Sequence, residues 1–453
     1  MIRVNESLPP HDPDAPRSGL DADRLMQQSE VVLHLGKLML AAGAGSYRVK
    51  SSMARAASAV GIDRHQATVT MTELVTSSYE GERFRTETAE VRRVGVNVDR
   101  LEALRRIVHD LRAHERVEVL EAKLVKVEQM HGLYGPVSNA LASGIACAGF
   151  CFLNKGGWAE CLAVLFAAAL GQAVRRAMLV RHMQHFYTWL VSGVVASTLY
   201  MMVIAGLSTA GLISAGHQGG IISAILFLIP GFPMVTAMLD LVRQDFSSAV
   251  SRMSYVMMVM MAAGVAVWTV TSIADWDVTG TAATTPEGPI LHGLRLLCSF
   301  IAAYGFAVLF NARARACLIS AVIGAVANTG RLVLIDVYHV PWQMAVGLAA
   351  VVIGLLAQAF VSRASLSRVA LSVPAVVIMI PGVPFYRAIS ALNDHTVDTR
   401  VAVGEAAASI AEVLFVITAI GVGLALARIM TDRNWRHDMP TSGMIELPEP
   451  ETA

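Results

Sequence analysis

The sequence predicts a membrane all-α protein: about ten transmembrane helices, arranged as two inverted five-helix repeats behind an N-terminal cytoplasmic α+β domain. Three observations carry that prediction. Apolar runs recur from residue 137 to residue 427, the pentad I-P-G-x-P occurs twice inside them, and soluble patterning is confined to the first 130 residues. The chain is 55 % hydrophobic and 16 % charged, with a mean hydropathy of +0.54, which is too apolar for 453 soluble residues. Formal net charge is only +1, so no summed field would draw nucleic acid or an acidic partner. The lipid bilayer is the expected partner.

Residues 1–24 are polar and proline-bearing and lack the apolar core of a secretory signal, so they read as a disordered tail. Residues 25–130 form the cytoplasmic α+β domain. Its first helix carries an apolar stripe through Leu25, Val32, Leu33, Leu35, Leu38 and Leu40 and is stopped by Gly43 and Gly45. A second helix runs from Ser46 to about Val60. Two extended runs follow, HQATVTMTELVTSSY and ERFRTETAEVRRV, joined around Glu80-Gly81-Glu82 as a hairpin. Asn97 then caps a helix from Val98 to His114, and another spans Val117 to about Met130.

Ten apolar cores come next, at 137–154, 158–174, 186–207, 219–241, 253–273, 291–311, 316–333, 341–362, 369–390 and 402–427. They divide into a first module at 137–273 and a second at 291–427, followed by a cytoplasmic tail at 428–453. Basic residues alternate across the joints. One set of joints holds Arg175, Arg176, Arg181, Arg243, Arg252, Arg313, Arg315, Arg363, Arg368, Arg428, Arg433 and Arg436; the other holds only Lys155, Arg295, Arg331, Arg387 and Arg400. The positive-inside rule therefore puts both termini and the domain in the cytoplasm of a plasma (inner) membrane protein. An odd count of spans would break the alternation.

LIPGFP at Leu228–Pro233 recurs as MIPGVP at Met379–Pro384, 151 residues later. Proline removes a backbone donor and clashes with the preceding turn, so P-G-x-P cannot continue a regular helix. Non-helical backbone at membrane depth is tolerated only where protein covers it or it lines a cavity, which makes Pro230, Gly231, Pro381 and Gly382 translocation candidates. A simple kink or helix end is the plainer reading of either break alone. The breaks fall in spans four and nine, so the five-span units enter the membrane with opposite polarity.

The segments AAGAGSYRVKSSMARAA, NKGGW, LIPGFPMVTAMLDLV and MIPGVPFYRAISAL together resemble the threonine/serine exporter family over about residues 25–428. The resemblance implies efflux of a small polar metabolite driven by the proton motive force, by antiport. Split relatives of the family are associated with succinate, so a dicarboxylate is the alternative substrate. A homo-oligomer is compatible with either.

Ionisable residues at membrane depth are the remaining candidates, since a charge at the bilayer centre costs about 2.5–3.5 kcal/mol. Glu412 lies in the last span with Glu405 two turns earlier on nearly the same face, and either suits proton coupling. A neutral glutamic acid bonded to a neighbouring helix explains them equally well. Asp240, ten residues past the first break, suits a substrate ammonium or a proton, or is a solvated helix-end aspartate. Asn328 and Arg331 lie one turn apart, where the guanidinium would hold a carboxylate or else snorkel to the interface. Arg387, Tyr386 and Arg295 carry the same two readings, and Glu160 and Asn154 read as interfacial.

No catalytic residue, cofactor or metal site is predicted. The five cysteines sit in apolar runs without C-x-x-C spacing, and the methionine run MSYVMMVMMAAG reads as packing rather than a copper path. No nucleotide-binding or hydrolase fingerprint occurs. A membrane-anchored enzyme or sensor working through residues 25–130 is the competing class, but an anchor needs neither duplicated breaks nor buried carboxyls.

Overall fold

The structure is a computed structural model that describes residues 19–92, 94–213, 217, 220–274, 276, 288–364, 366–392 and 398–436. The expected tail at 1–24 falls outside them up to residue 18, as does the C-terminal tail from residue 437. Residues 19–24 are not tail: helix α1 begins at Gly19.

The N-terminal domain comprises α1 (Gly19–Ala41), α2 (Ser46–Val60), β1 (Arg64–Val69), β2 (Glu73–Glu80), β3 (Arg83–Glu90), α3 (Val98–His109) and α4 (Val117–Glu128). Leu25, Val32, Leu35 and Leu40 of the α1 stripe are buried, and with Val49, Met53, Leu74, Leu104, Leu120 and Leu124 they form its core. Gly43 adopts φ +94°, a left-handed conformation that suits glycine, and turns the chain between α1 and α2. The sheet is an antiparallel meander of three strands, β1-β2-β3. This corrects the reading of residues 65–79 as one extended run. Thr70 accepts from Glu73 N through its side chain at 3.1 Å, closing a turn inside a run whose β-branched residues conceal it. Asn97 caps α3 by accepting from Arg100 N at 3.1 Å, as its sequence position predicted, but the helix stops at His109, short of His114.

The membrane part follows as α5 (Pro136–Leu153), α6 (Trp158–Val180), α7 (His185–Thr209), α8 (Ile221–Ala224), a 3₁₀ turn at Leu226–Leu228, α9 (Gly231–Val242) and α10 (Phe246–Ile273). Its second half is α11 (Pro289–Leu309), α12 (Ala314–Asp336), α13 (Trp342–Ala364), α14 (Arg368–Val377), α15 (Gly382–Leu392) and α16 (Thr399–Thr431), with α17 (Arg433–Arg436) at the end. Among the described residues eight helices are long and apolar enough to cross a bilayer, and two broken segments make about ten crossings. α14 and α15 bend by 47° at their break; α8, the 3₁₀ turn and α9 form the other interrupted segment. Trp435 of α17 packs on Tyr47 of α2, ring centroids 5.9 Å apart, so both described ends of the chain lie at one face.

The same pairings recur in both halves: α5 with α6, α6 with α7 and α9 with α10 in the first; α11 with α12, α12 with α13 and α15 with α16 in the second. Between the halves α5 packs on α11. That contact is reciprocal. A Cβ on Gly149 would meet Cys298 O at 3.0 Å and Ala302 N at 3.5 Å, whereas one on Gly305 would meet Ala142 O and Ala146 Cβ, both at 2.7 Å. Each residue stands 156 positions from its counterpart, and the segments share a pattern: S-x-I-A-x-x-G-F-x-x-L at Ser143–Leu153 and again at Ser299–Leu309.

Candidate functional site

The two breaks are alike bond for bond. Gly231 N donates to Ile229 O at 2.9 Å and Ile229 N to Leu226 O at 3.1 Å; Gly382 N donates to Ile380 O at 2.9 Å and Ile380 N to Val377 O at 3.2 Å. Prolines at 230 and 381 end the regular ladder in each case, and α9 and α15 restart at the following glycine. The breaks also touch. A Cβ on Gly231 would lie 2.7 Å from Val377 Cγ2 and 2.9 Å from Ile380 Cδ1; one on Gly382 would lie 2.9 Å from both Ile229 Cδ1 and Leu226 Cδ2. Residues 226 and 229 stand in the first break where 377 and 380 stand in the second. Pro230, Gly231, Pro381 and Gly382 are all buried. Carbonyls freed at the first break are satisfied by side chains: Arg175 Nη1 donates to Phe227 O at 3.0 Å and Trp189 Nε1 to Leu228 O at 2.9 Å.

Asp240 lies at the far end of α9 but is not solvated there, being 2 % exposed. Its carboxylate accepts from Ser46 N at 3.1 Å and 3.3 Å, from Ser248 Oγ at 2.9 Å and from Arg252 Nε at 3.2 Å. Arg252, 1 % exposed on its side chain, also donates through Nη2 to Ala44 O at 2.7 Å. Asp245 accepts from Ser46 Oγ at 2.5 Å and from Lys50 Nζ at 2.7 Å. Two carboxylates thus sit at the N-terminus of α2, where its exposed amides and dipole favour negative charge. The AAGAGS segment grips the end of α9, and a Cβ on Gly45 would come within 3.2 Å of Asp240 Oδ1. Ser46, which lacks a base partner in the local sequence, finds Asp245 in the fold.

Asn328 is fully buried and donates through Nδ2 to Ser299 Oγ at 2.8 Å; its Oδ1 has no partner. Arg331, 9 % exposed, leaves Nε unpartnered. It lies in electrostatic reach of Arg295 and Asp336, which pair at 2.5 Å. The first half holds the matching residues: Cys161-Leu162-x9-Gln172-x2-Arg175 on α6 repeats Cys317-Leu318-x9-Asn328-x2-Arg331 on α12, 156 positions apart. Reading for this spacing would have found Gln172 and Arg175.

Glu405 is exposed and Glu412 half-buried on α16, and neither forms a hydrogen bond or ion pair among the described residues. The structure therefore does not bring them together with the breaks through any polar contact. Tyr386 is buried, its hydroxyl 3.4 Å from Thr271 Oγ1, and Arg387 is exposed. Glu160, read as interfacial, is wholly buried: it accepts from Gly157 N at 3.0 Å and its Oε1 lies 2.9 Å from His217 Nδ1. The pairing joins residues 57 apart, with no local signature.

A family model described as "Putative threonine/serine exporter" matches residues 30–274, and a second, described as "Threonine/Serine exporter, ThrE", matches residues 295–430. The chain is 22 % identical over 258 residues to the "Probable succinate transporter subunit YjjP" of Escherichia coli K12, covering 56 % of this chain and 96 % of that protein. A protein of the same name from Klebsiella aerogenes is 22 % identical over 271 residues, covering 58 % of this chain and all of that protein. No solved structure matches the chain. With two family models covering the domain and both membrane halves in one polypeptide, the chain is a multi-pass membrane transporter and belongs to the threonine/serine exporter family.

Proposed function

We propose that the chain exports threonine or serine from the cytoplasm, driven by the proton motive force, with its two halves working as inverted repeats. The observation that carries this reading is the reciprocal contact of the two breaks, Gly231 on Val377 and Ile380, Gly382 on Leu226 and Ile229. Paired interrupted helices that cross at depth are a recurrent substrate-site plan of secondary transporters. The domain-side joints carry most of the basic residues, which favours a cytoplasmic domain at 25–130 and cytoplasmic termini. The domain, tied to α9 through Asp240, then gates the membrane part. Asp240, Asn328 and Arg331 line the translocation region, and Glu405 and Glu412 are the proton-coupling candidates because they sit on a membrane helix without a partner.

Succinate is the second reading, favoured by the names of the two relatives. Proteoliposomes loaded with threonine, serine or succinate and given a pH gradient separate the two. Gradient-dependent efflux of threonine or serine ahead of succinate is expected. Efflux of none of the three refutes the exporter reading.

A further inference from the structure

At the face where the domain docks, α5 and α6 of the first membrane half, the segment ahead of α5 and the end of α11 line an open pocket of about 210 Å³. Its lining includes Tyr134, Asn139, Gln172, Arg175, Arg176 and Asn311, and no acidic side chain among the described residues. Two of its polar atoms are buried without a partner: Gln172 Oε1, an acceptor, and Arg175 Nε, a donor. Their i, i+3 spacing puts both on one face of α6. Buried polar groups in folded proteins are paired as a rule, so an adjacent donor and acceptor left unpaired on two residues that line a pocket mark the place of an occupant.

The second half repeats the arrangement independently. Asn328 Oδ1 and Arg331 Nε are likewise buried and unpartnered at the same spacing on α12. In both halves the amide nitrogen is already engaged, Gln172 Nε2 with Asn139 Oδ1 at 2.6 Å and Asn328 Nδ2 with Ser299 Oγ at 2.8 Å. What each amide leaves free is its oxygen.

We propose that Gln172 and Arg175 form a loading site for a zwitterionic α-amino acid on the domain face, with Asn328 and Arg331 as its counterpart towards the opposite face. The proposal rests on the exporter reading and names the site and ligand class for it. The guanidinium takes the carboxylate in a charge-assisted contact, and the amide oxygen accepts from the ammonium. A dicarboxylate would set its second negative charge against that oxygen. Arg176, the other cation of the cavity, is held by Tyr134 O at 3.1 Å and Gly135 O at 3.3 Å. The cavity is smaller than the roughly 300–1,000 Å³ of drug-sized pockets, as a single amino acid requires. Arg175 also ties the site to the break, since its Nη1 holds Phe227 O, two residues ahead of Ile229. A carboxylate on Arg175 competes with that tie and so bears directly on the first break.

The test uses the full chain in nanodiscs without any gradient, measuring equilibrium binding of radiolabelled L-threonine and its displacement by threoninol, which lacks the carboxylate, and by succinate, which lacks the ammonium. L-Threonine is expected to bind, with both competitors weaker by about tenfold or more. Gln172→Leu and Arg175→Lys are each expected to weaken L-threonine about tenfold or more, and in proteoliposomes to raise KM rather than lower kcat. If Arg175→Lys does not fold, Gln172→Leu decides. Absence of binding, displacement by threoninol or succinate as strong as by threonine, or unchanged affinity in Gln172→Leu overturns the site. Gradient-driven export with an unchanged KM in Gln172→Leu overturns it while leaving the exporter reading in place. Binding that Gln172→Leu weakens, without gradient-driven efflux, upholds the site and removes the exporter reading.

Discussion

Gly231→Ala tests the crossing of the two breaks. The added methyl would lie 2.7 Å from Val377 Cγ2 and 2.9 Å from Ile380 Cδ1, whereas relaxed carbon contacts need about 3.5–4.0 Å. The crossing must therefore open by roughly 1 Å. Val377 cannot swing aside, because it is 5 % exposed and its β-branched side chain has one favoured rotamer in a helix. Overpacking of this kind costs about 1–3 kcal/mol. Gly382→Ala meets only Ile229 Cδ1 and Leu226 Cδ2, each at 2.9 Å and each the tip of a rotatable side chain, so its cost falls at the bottom of that range. Thermal unfolding in nanodiscs, paired with export in proteoliposomes, is the assay. Gly231→Ala is expected to lower the midpoint more than Gly382→Ala does and to slow export. Combining it with Val377→Ala should cost less than the sum of the two by about 1 kcal/mol, the signature of a shared contact. Gly206→Ala and Gly293→Ala serve as controls, since nothing lies within 4 Å of their added methyl. A neutral Gly231→Ala, or strict additivity with Val377→Ala, refutes the crossing as described.

Asp240→Asn strips the countercharge from buried Arg252 and is expected to cost about 3–5 kcal/mol. A lower unfolding midpoint and faster trypsin cleavage between the domain and the membrane part would show it; unchanged stability would reject the latch. Burial drives His65 down to about 4 from the usual 6.5. As pH falls through that window the unfolded chain takes up a proton that the folded one refuses, so domain stability drops by about 3 kcal/mol, and His65→Gln should flatten this part of the unfolding-versus-pH profile. Glu412→Gln is expected to abolish the dependence of export on the pH gradient while gradient-free substrate exchange continues; normal gradient-driven export removes Glu412 from proton coupling.

The span positions and both breaks were legible in the sequence because their causes are local: a run of apolar residues, a missing proline donor, a glycine beside it. Asp240 was not, because the amide it holds belongs to Ser46, 194 residues away, and Arg252 is on the next helix. Its position alone suggests a solvated helix end. Glu160 failed for the same reason, its partner His217 lying across a long connection. The pairing of Gln172-Arg175 with Asn328-Arg331 was legible in principle. The breaks repeat at 151 residues but α5–α6 and α11–α12 repeat at 156, so a search at the breaks' own spacing slips by five positions and the amide and arginine no longer align.

The domain holds two half-helices on its own face, and they belong to different halves of the membrane part. α9 leaves the first break and ends at Asp240, which receives Ser46 N; it is 12 residues long, roughly 18 Å of stiff helix. α14 enters the second break from Ser367, whose side chain caps it and whose amide donates to Glu102 Oε1 at 2.7 Å. These same two half-helices meet where Gly231 faces Val377. Clamped by the domain at one end and touching at the other, α9 and α14 form a closed frame with it. Relative motion at the crossing then either carries the domain along or is taken up beyond the breaks, in α8 and α15, which the frame leaves outside. Within this frame, any coupling between the domain and the breaks would therefore have to pass through its hydrogen bonds to Asp240 and Ser367.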